Sequence, residues 1–178
     1  EWMTIVLDLP ELGAAAEGAR VDGATAVEMD KDDWKELGAS GLQAARLVGD
    51  LQDELQQSES WPERKVLYLI WKRPWMTVSQ DTYIASMLAL FGMRPLSHAP
   101  ARRYPEVTID PALLAQADLV LFSTEPFPFA TKHRNAFKND HAISSQPKLL
   151  SIDGKMVSWY GSRAIEGLKY LRQFAAKL

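Results

Sequence analysis

No cysteine occurs anywhere in the 178 residues, and histidine is nearly as scarce, with only His98, His133 and His141. Without thiols there is no disulfide framework, no thiolate zinc site and no cysteine nucleophile, and the chain suits cytoplasm and periplasm alike. The histidines show neither His-x-x-x-His nor carboxylate spacing on one element, so metal ligation by the protein is not expected. No candidate strand is followed by a glycine-rich phosphate loop, which leaves nucleotide binding without its usual backbone cradle. The segment Tyr160-Gly161-Ser162-Arg163-Ala164 lacks the two glycines of a G-x-S-x-G nucleophile elbow, and Ser162 reads better as a helix N-cap.

Blocks of one charge are also missing. Acids and bases are interleaved around a formal net charge of −3, so there is no basic footprint and no nucleic-acid partner is expected. No apolar run reaches membrane-spanning length, and Glu1-Trp2-Met3 does not open a signal peptide. No nucleophile, base and orienting group can be named together, so the chain is not expected to be an enzyme. Its length allows one sizeable core, or one full lobe and part of a second.

What is present is an alternation of strands and helices. Residues 3–9 (MTIVLDL) and 24–29 (ATAVEM) read as short strands around a helix at 12–19. From a cap at Asp32 or Asp33, apolar Leu42, Ala45, Val48, Leu51 and Leu55 recur three and four apart through Gln57, the pattern of a long amphipathic helix. Its stripe Leu47, Leu51 and Leu55 should be buried. Residues 65–71 (KVLYLIW) form a nearly all-apolar strand, of the kind enclosed on both faces of a parallel sheet. A loop at 72–79 leads to a helix opened by Asp81, carrying Ile84, Met87, Leu88 and Phe91 and closed by Gly92. The region 94–108 is rich in Pro and Arg and has no periodicity. Asp110-Pro111 is an N-cap with proline at the first helical position, leading through Leu113, Leu114 and Ala117 into a strand at 119–123. A short helix at 130–137, a strand at 148–152 and a turn at Asp153-Gly154 complete a third unit. Residues 163–178 follow as a helix burying Ile165, Leu168, Leu171 and Phe174.

This alternation implies an α/β fold, a three-layer lobe whose mostly parallel sheet is covered on both sides. Ligands meet such sheets at the carboxyl ends of the strands. Those ends fall at 71–76, 123–129 and 153–160, and all three are aromatic-rich. At the second, Glu125-Pro126-Phe127-Pro128-Phe129 cannot continue a ladder, because proline has no N–H and fixes its own φ. Flat rings with a few charges, Glu125, Arg163 and Arg73, suit a large, partly apolar ligand held by stacking. The plainer alternative is that Phe127, Phe129, Trp159 and Tyr160 pack beneath their own loops.

Three blocks in order, VLYLIWKRPWMTVSQDTYI, ARRYPEVTIDPALLAQADLVLFSTEPFPFATKH and LLSIDGKMVSWYGSRAIEGLKYL, resemble the carboxyl-terminal lobe of a known family. That family is the helical-backbone metal receptors, the extracytoplasmic substrate-binding proteins of ABC importers for cobalamin, ferric siderophores and haem. The resemblance runs from about Leu42 to Leu178. It implies a backbone helix and linker at 41–62 and a ligand-binding α/β lobe at 63–178, preceded at 1–40 by a reduced or atypical amino-terminal α/β segment. It implies that Trp71, Arg73, Trp75, Tyr83, Glu125, Phe127, Phe129, Trp159, Tyr160 and Arg163 face the ligand. It further implies a periplasmic or extracytoplasmic protein with no cofactor of its own, binding a corrinoid, haem or ferric siderophore and docking on an ABC permease, with Glu125 placed to meet the permease's arginines. The family's full amino-terminal lobe has no clear counterpart in residues 1–40, so the chain is a fragment, or its lobe is replaced, or two chains in a homodimer supply one cleft. The rival expectation is an interaction module derived from such a lobe, acting through dimerisation or a partner on its exposed aromatics.

Overall fold

The computed structural model describes residues 41–56, 60–97, 102–159 and 163–178. Its elements are α1 (Gly41–Gln56), β1 (Arg64–Trp71), β2 (Met76–Thr77), α2 (Tyr83–Ala89), β3 (Met93–Pro95), α3 (Pro111–Leu114), β4 (Leu119–Ser123), α4 (Thr131–Asp140), β5 (Lys148–Ile152), α5 (Gly154–Ser158) and α6 (Arg163–Ala175). The chain divides into two compact units, one spanning Ser60–Lys155 and the other combining Glu1–Glu59 with Met156–Leu178.

The first unit is built on a mixed, mostly parallel sheet in the order β2-β1-β4-β5, with β3 also paired to β1. The β1–β4, β4–β5 and β1–β3 pairs are parallel, and β1–β2 is antiparallel. The run Val66 to Ile70 and all of β4 are buried. Strands enclosed on both faces lose polar alternation, which is why both were legible as apolar runs. Arg64, Lys65 and Val66 pair with β3, while Leu69 and Trp71 pair with β2, so the two short strands share the edge of β1 that β4 leaves open. Around Leu67, Leu69, Val120 and Phe122, the core is completed by Phe129, Phe137 and Ile143.

Local chemistry sets the boundaries. Asp110 Oδ1 accepts the Leu113 N–H at 2.7 Å, and Pro111 opens α3, as the sequence indicates. Helix α2 is followed by Gly92 at φ 73, where an added Cβ would come within 2.7 Å of the Pro62 carbonyl oxygen. Its cap is Thr82 rather than Asp81: the Thr82 hydroxyl accepts the Ala85 N–H at 3.2 Å. Two segments read as loop contain β2 and β3, and Asp153-Gly154 does not end a unit but starts α5. Asp153 Oδ1 accepts the Lys155 N–H at 3.0 Å, a local bond that turns the chain into that helix.

In the second unit α1 packs on α6. Leu51, Leu168, Leu171 and Ala175 are buried, whereas Leu55 is half-buried rather than enclosed. Arg172 ties the pair, donating from Nη1 to Glu54 Oε2 at 2.7 Å and from Nη2 to the Glu54 carbonyl oxygen at 2.6 Å. Lys169 Nζ lies 3.5 Å from Glu54 Oε1. The expected elements at 3–9, 12–19 and 24–29, the cap at Asp32 or Asp33, the side chain of Leu47 and the Ser162 cap lie outside the described residues.

Candidate functional site

Strand β4 ends at Ser123, a fully buried hydroxyl that fixes how the chain leaves the sheet. Ser123 Oγ accepts from the Tyr68 hydroxyl at 3.0 Å and donates to the Glu125 carbonyl oxygen at 2.6 Å. The neighbouring Thr124 hydroxyl accepts the Gly154 N–H at 2.9 Å, tying the loop after β4 to the start of α5. Gly154 has no space for a side chain: a Cβ would collide with Ser123 Oγ and lie 2.9 Å from the Glu125 nitrogen. Beyond Glu125, the Phe127 N–H returns to the Ile70 carbonyl of β1 at 3.2 Å, and the Phe129 N–H closes on the Phe127 carbonyl at 2.7 Å across Pro128. The Glu125-Pro126 and Arg73-Pro74 peptides are cis.

These bonds present a connected set of rings. Trp71, 40% exposed, meets Phe127 edge to face at 5.6 Å between centroids. Phe127 lies 4.6 Å from Phe129, which stacks on Trp75 at 6.0 Å with ring planes 6° apart. Below them Phe122, Phe129 and Phe137 belong to the buried core, and Trp75 and Phe127 are half-buried. The set is therefore a core cluster that surfaces at the carboxyl ends of β1 and β4.

Charges border the rings. Lys72 Nζ stands 5.6 Å from the centroid of the Trp75 ring. Glu125 and Lys155 approach to 3.6 Å, with both side chains more than a third exposed, so water screens the pair. His133 packs edge-on against Phe127 at 5.2 Å, and its Nδ1 accepts the Ala130 N–H at 3.0 Å. With Nδ1 engaged as acceptor, the neutral ring carries its proton on Nε2. Burial holds the His133 pKa below its ordinary value, and the nearby Lys132 and Lys72 charges lower it further.

Of the residues expected to face a ligand, Trp71, Trp75, Glu125 and Phe127 meet at this sheet edge, with Arg73 on the β1–β2 loop. Arg73 adopts φ 67, a left-handed backbone that few non-glycine residues take. Phe129 is 4% exposed and belongs to the core on which Phe127 and Trp75 pack. Tyr83, at 6% exposure, belongs to the buried face of α2. Trp159 and Arg163 belong to the other unit, where the Arg163 guanidinium sits 4.3 Å over the Trp159 ring. Tyr160 lies outside the described residues.

Ser123, Gly154, Lys72 and His133 were missed. The one available signal was the position of His133, three residues after the helix boundary at Ala130, where a side chain reaches back to the cap N–H. Among the described residues, no cluster of three or more histidine, aspartate or glutamate side chains is arranged to hold a metal ion. No helix among them is long and apolar enough to cross a membrane. An open depression of about 620 Å³ is lined by Pro111, Leu114, His141 and Pro147, which precede β4 and β5 and so stand at the amino ends of those strands.

In open α/β sheets ligands meet the carboxyl ends of the strands, and here those ends carry a ring-lined lip. No protein-family model matches the chain, and no curated protein matches it in sequence. Solved structures do. The periplasmic vitamin B12 binding protein BtuF of Vibrio cholerae matches with TM-score 0.63 and 18% identity, over 85% of this chain and 63% of that one. The periplasmic haem binding protein HutB of Vibrio cholerae gives 0.61 and 16%, over 85% and 63%. A periplasmic haem binding protein from Pseudomonas aeruginosa gives 0.64 and 19%, over 85% and 59%. Over most of its length, the chain thus has the fold of periplasmic binding proteins for vitamin B12 and haem, and it spans about 60% of their length.

Proposed function

We propose that the chain is the three-layer carboxyl-terminal lobe and backbone helix of the extracytoplasmic solute-binding component of an ABC importer. In this reading it captures a metal chelate of the corrinoid, haem or ferric siderophore type and delivers it to the permease, without catalysing a reaction. The observation that carries the reading is the ring set Trp71, Phe127 and Trp75 surfacing at the carboxyl ends of parallel strands. Each aromatic pairing with a ligand ring contributes about 0.5–1.5 kcal/mol beyond the area it buries. The backbone of the lip is set before the ligand arrives, by Pro126, Pro128 and the Ser123 hydrogen bonds, so less conformational entropy is lost on binding.

Trp71, Arg73, Trp75, Glu125 and Phe127 form the ligand face of this lobe, and Trp159, Tyr160 and Arg163 are proposed as a further contribution. The Glu125 carboxylate has a solvent-screened partner in Lys155, which leaves it available to an arginine of the permease.

Titrating the full gene product with cyanocobalamin, haem and a ferric trihydroxamate, while following tryptophan fluorescence, tests the reading. Saturable quenching by at least one is expected, with Trp71→Ala weakening that affinity by about tenfold, a loss on the order of one stacking contact. Silence for every chelate overturns it, and an obligate dimer seen by light scattering would then favour an interaction module.

A further inference from the structure

We infer that the lip selects an anionic chelate, one carrying carboxylate or comparable anionic oxygens at the edge of its ring system; this deepens the proposed function and rests on it. The charge around the rings runs against that of the chain. The whole sequence carries a formal −3, yet the rim of the lip presents Lys72 and Arg73 from the β1–β2 loop and Lys132 from the first turn of α4. None of these three cations has an acidic partner among the described residues.

Elsewhere pairing is common: Arg172 and Lys169 share Glu54, Arg46 faces Asp50, and Arg94 faces Glu63. The acid on the lip, Glu125, faces Lys155 across a solvent-screened 3.6 Å rather than any of these three cations. Three cations without an acidic partner thus border one aromatic surface.

Geometry brings them to one place. The Lys72 ammonium is held over Trp75 at 5.6 Å, and Trp75 stacks on Phe129, which touches His133 edge-on at 6.0 Å. Lys132 precedes His133 in the chain, and both lysines lower the pKa of that ring, as charges close to it must. His133 adds a donor rather than a metal ligand. Its Nδ1 is taken by the Ala130 N–H, so the neutral imidazole keeps Nε2–H as its donor. A neutral ligand would leave the like charges of Lys72 and Lys132 uncompensated as water is displaced, whereas an anionic oxygen between them is attracted by both and accepts from His133. The ring plane would then lie on Trp71 and Phe127, with its anionic edge toward α4.

The test compares pairs of probes that differ mainly in charge. Haem is set against its dimethyl ester, and an anionic ferric tricatecholate against an uncharged ferric trihydroxamate, each titrated by tryptophan quenching of the full gene product. The anionic member of the bound pair is expected to bind at least about tenfold tighter near 0.05 M salt, and the gap should shrink at about 0.5 M salt, where screening is strong. The double variant Lys72→Glu, Lys132→Glu should lose that preference while keeping its melting temperature. Preference within the haem pair assigns carboxylate recognition, and preference within the ferric pair assigns catecholate recognition. Equal affinities within both pairs, an unchanged preference in the double variant, or binding of cyanocobalamin alone overturns this inference and leaves the proposed function standing. Silence for every probe overturns both.

Discussion

At the residue scale, the lip depends on small groups that make no contact with solvent. Gly154 is the tightest. A methyl group there meets the Ser123 hydroxyl and, 2.9 Å away, the Glu125 backbone nitrogen, and the latter cannot swing aside like a flexible side chain. Gly154→Ala should therefore cost about 1–3 kcal/mol by overpacking and distort the lip, read as a fall in the urea midpoint together with weaker chelate quenching. His133 gives a pH dependence with a definite sign. Its folded pKa lies below the ordinary 6.5, so the contribution of the neutral ring is fully present above that value and is lost as pH falls from 6.5 toward the folded pKa. Between about pH 7.5 and pH 5.5, the wild type should lose more stability in urea melts than His133→Gln, which does not titrate there. Neither residue stood out in the sequence. Glu125 and Phe127 could be found because prolines mark a break in a strand, but the fit of Gly154 against Ser123 exists only once β4 and the start of α5 lie side by side.

Elements were legible in proportion to how much of their character is local. Strands β4 and β5 match their expected spans: β4 is an enclosed apolar run of five residues with few other readings, and β5, although only Ile152 of it is buried, is bounded by Pro147 and Asp153-Gly154. Asp110-Pro111 likewise announces α3 by its own cap chemistry. Strands β2 and β3, two and three residues long, carry no periodicity and are strands only because β1 offers them an open edge. The α1 stripe was half right: Leu51 is 4% exposed, but Leu55 is only half-buried. Leu51→Ala should accordingly cost about 2–5 kcal/mol, from lost transfer energy and the cavity left behind, measured by chemical denaturation. The α1–α6 pair also rests on Glu54, whose carboxylate and carbonyl are both held by Arg172. Sequence patterning treats such charges as solvated, so this link between positions far apart in the chain was invisible before the helices met.

At the scale of the molecule, the fold class was legible because strand and helix alternate with the right lengths, and the edge proposed for a ligand was inferred from strand direction alone. The chain path adds something that periodicity did not reveal. One compact unit is a continuous stretch, Ser60–Lys155, and it holds the β1–β5 sheet together with the lip, while the other joins segments from both ends of the sequence. Capture of a chelate by the lip should therefore stabilise the continuous unit directly. Free chelate at about 100 times its Kd adds about 2.7 kcal/mol to the state that binds it. For a chain of this size that is a rise of about 5–10 °C in the melting transition reporting on Ser60–Lys155. Trp71 is the residue with which to test it. At 40% exposure it contributes little to the core, yet it forms the outer ring of the set against Phe127 at 5.6 Å. Trp71→Ala should keep its unliganded melting temperature within about 2 °C of wild type, as surface substitutions do, and lose most of the ligand-induced rise. A variant that melts early without ligand would make Trp71 a packing residue of the unit, and one that retains the full rise would move the ligand away from the carboxyl edge of the sheet.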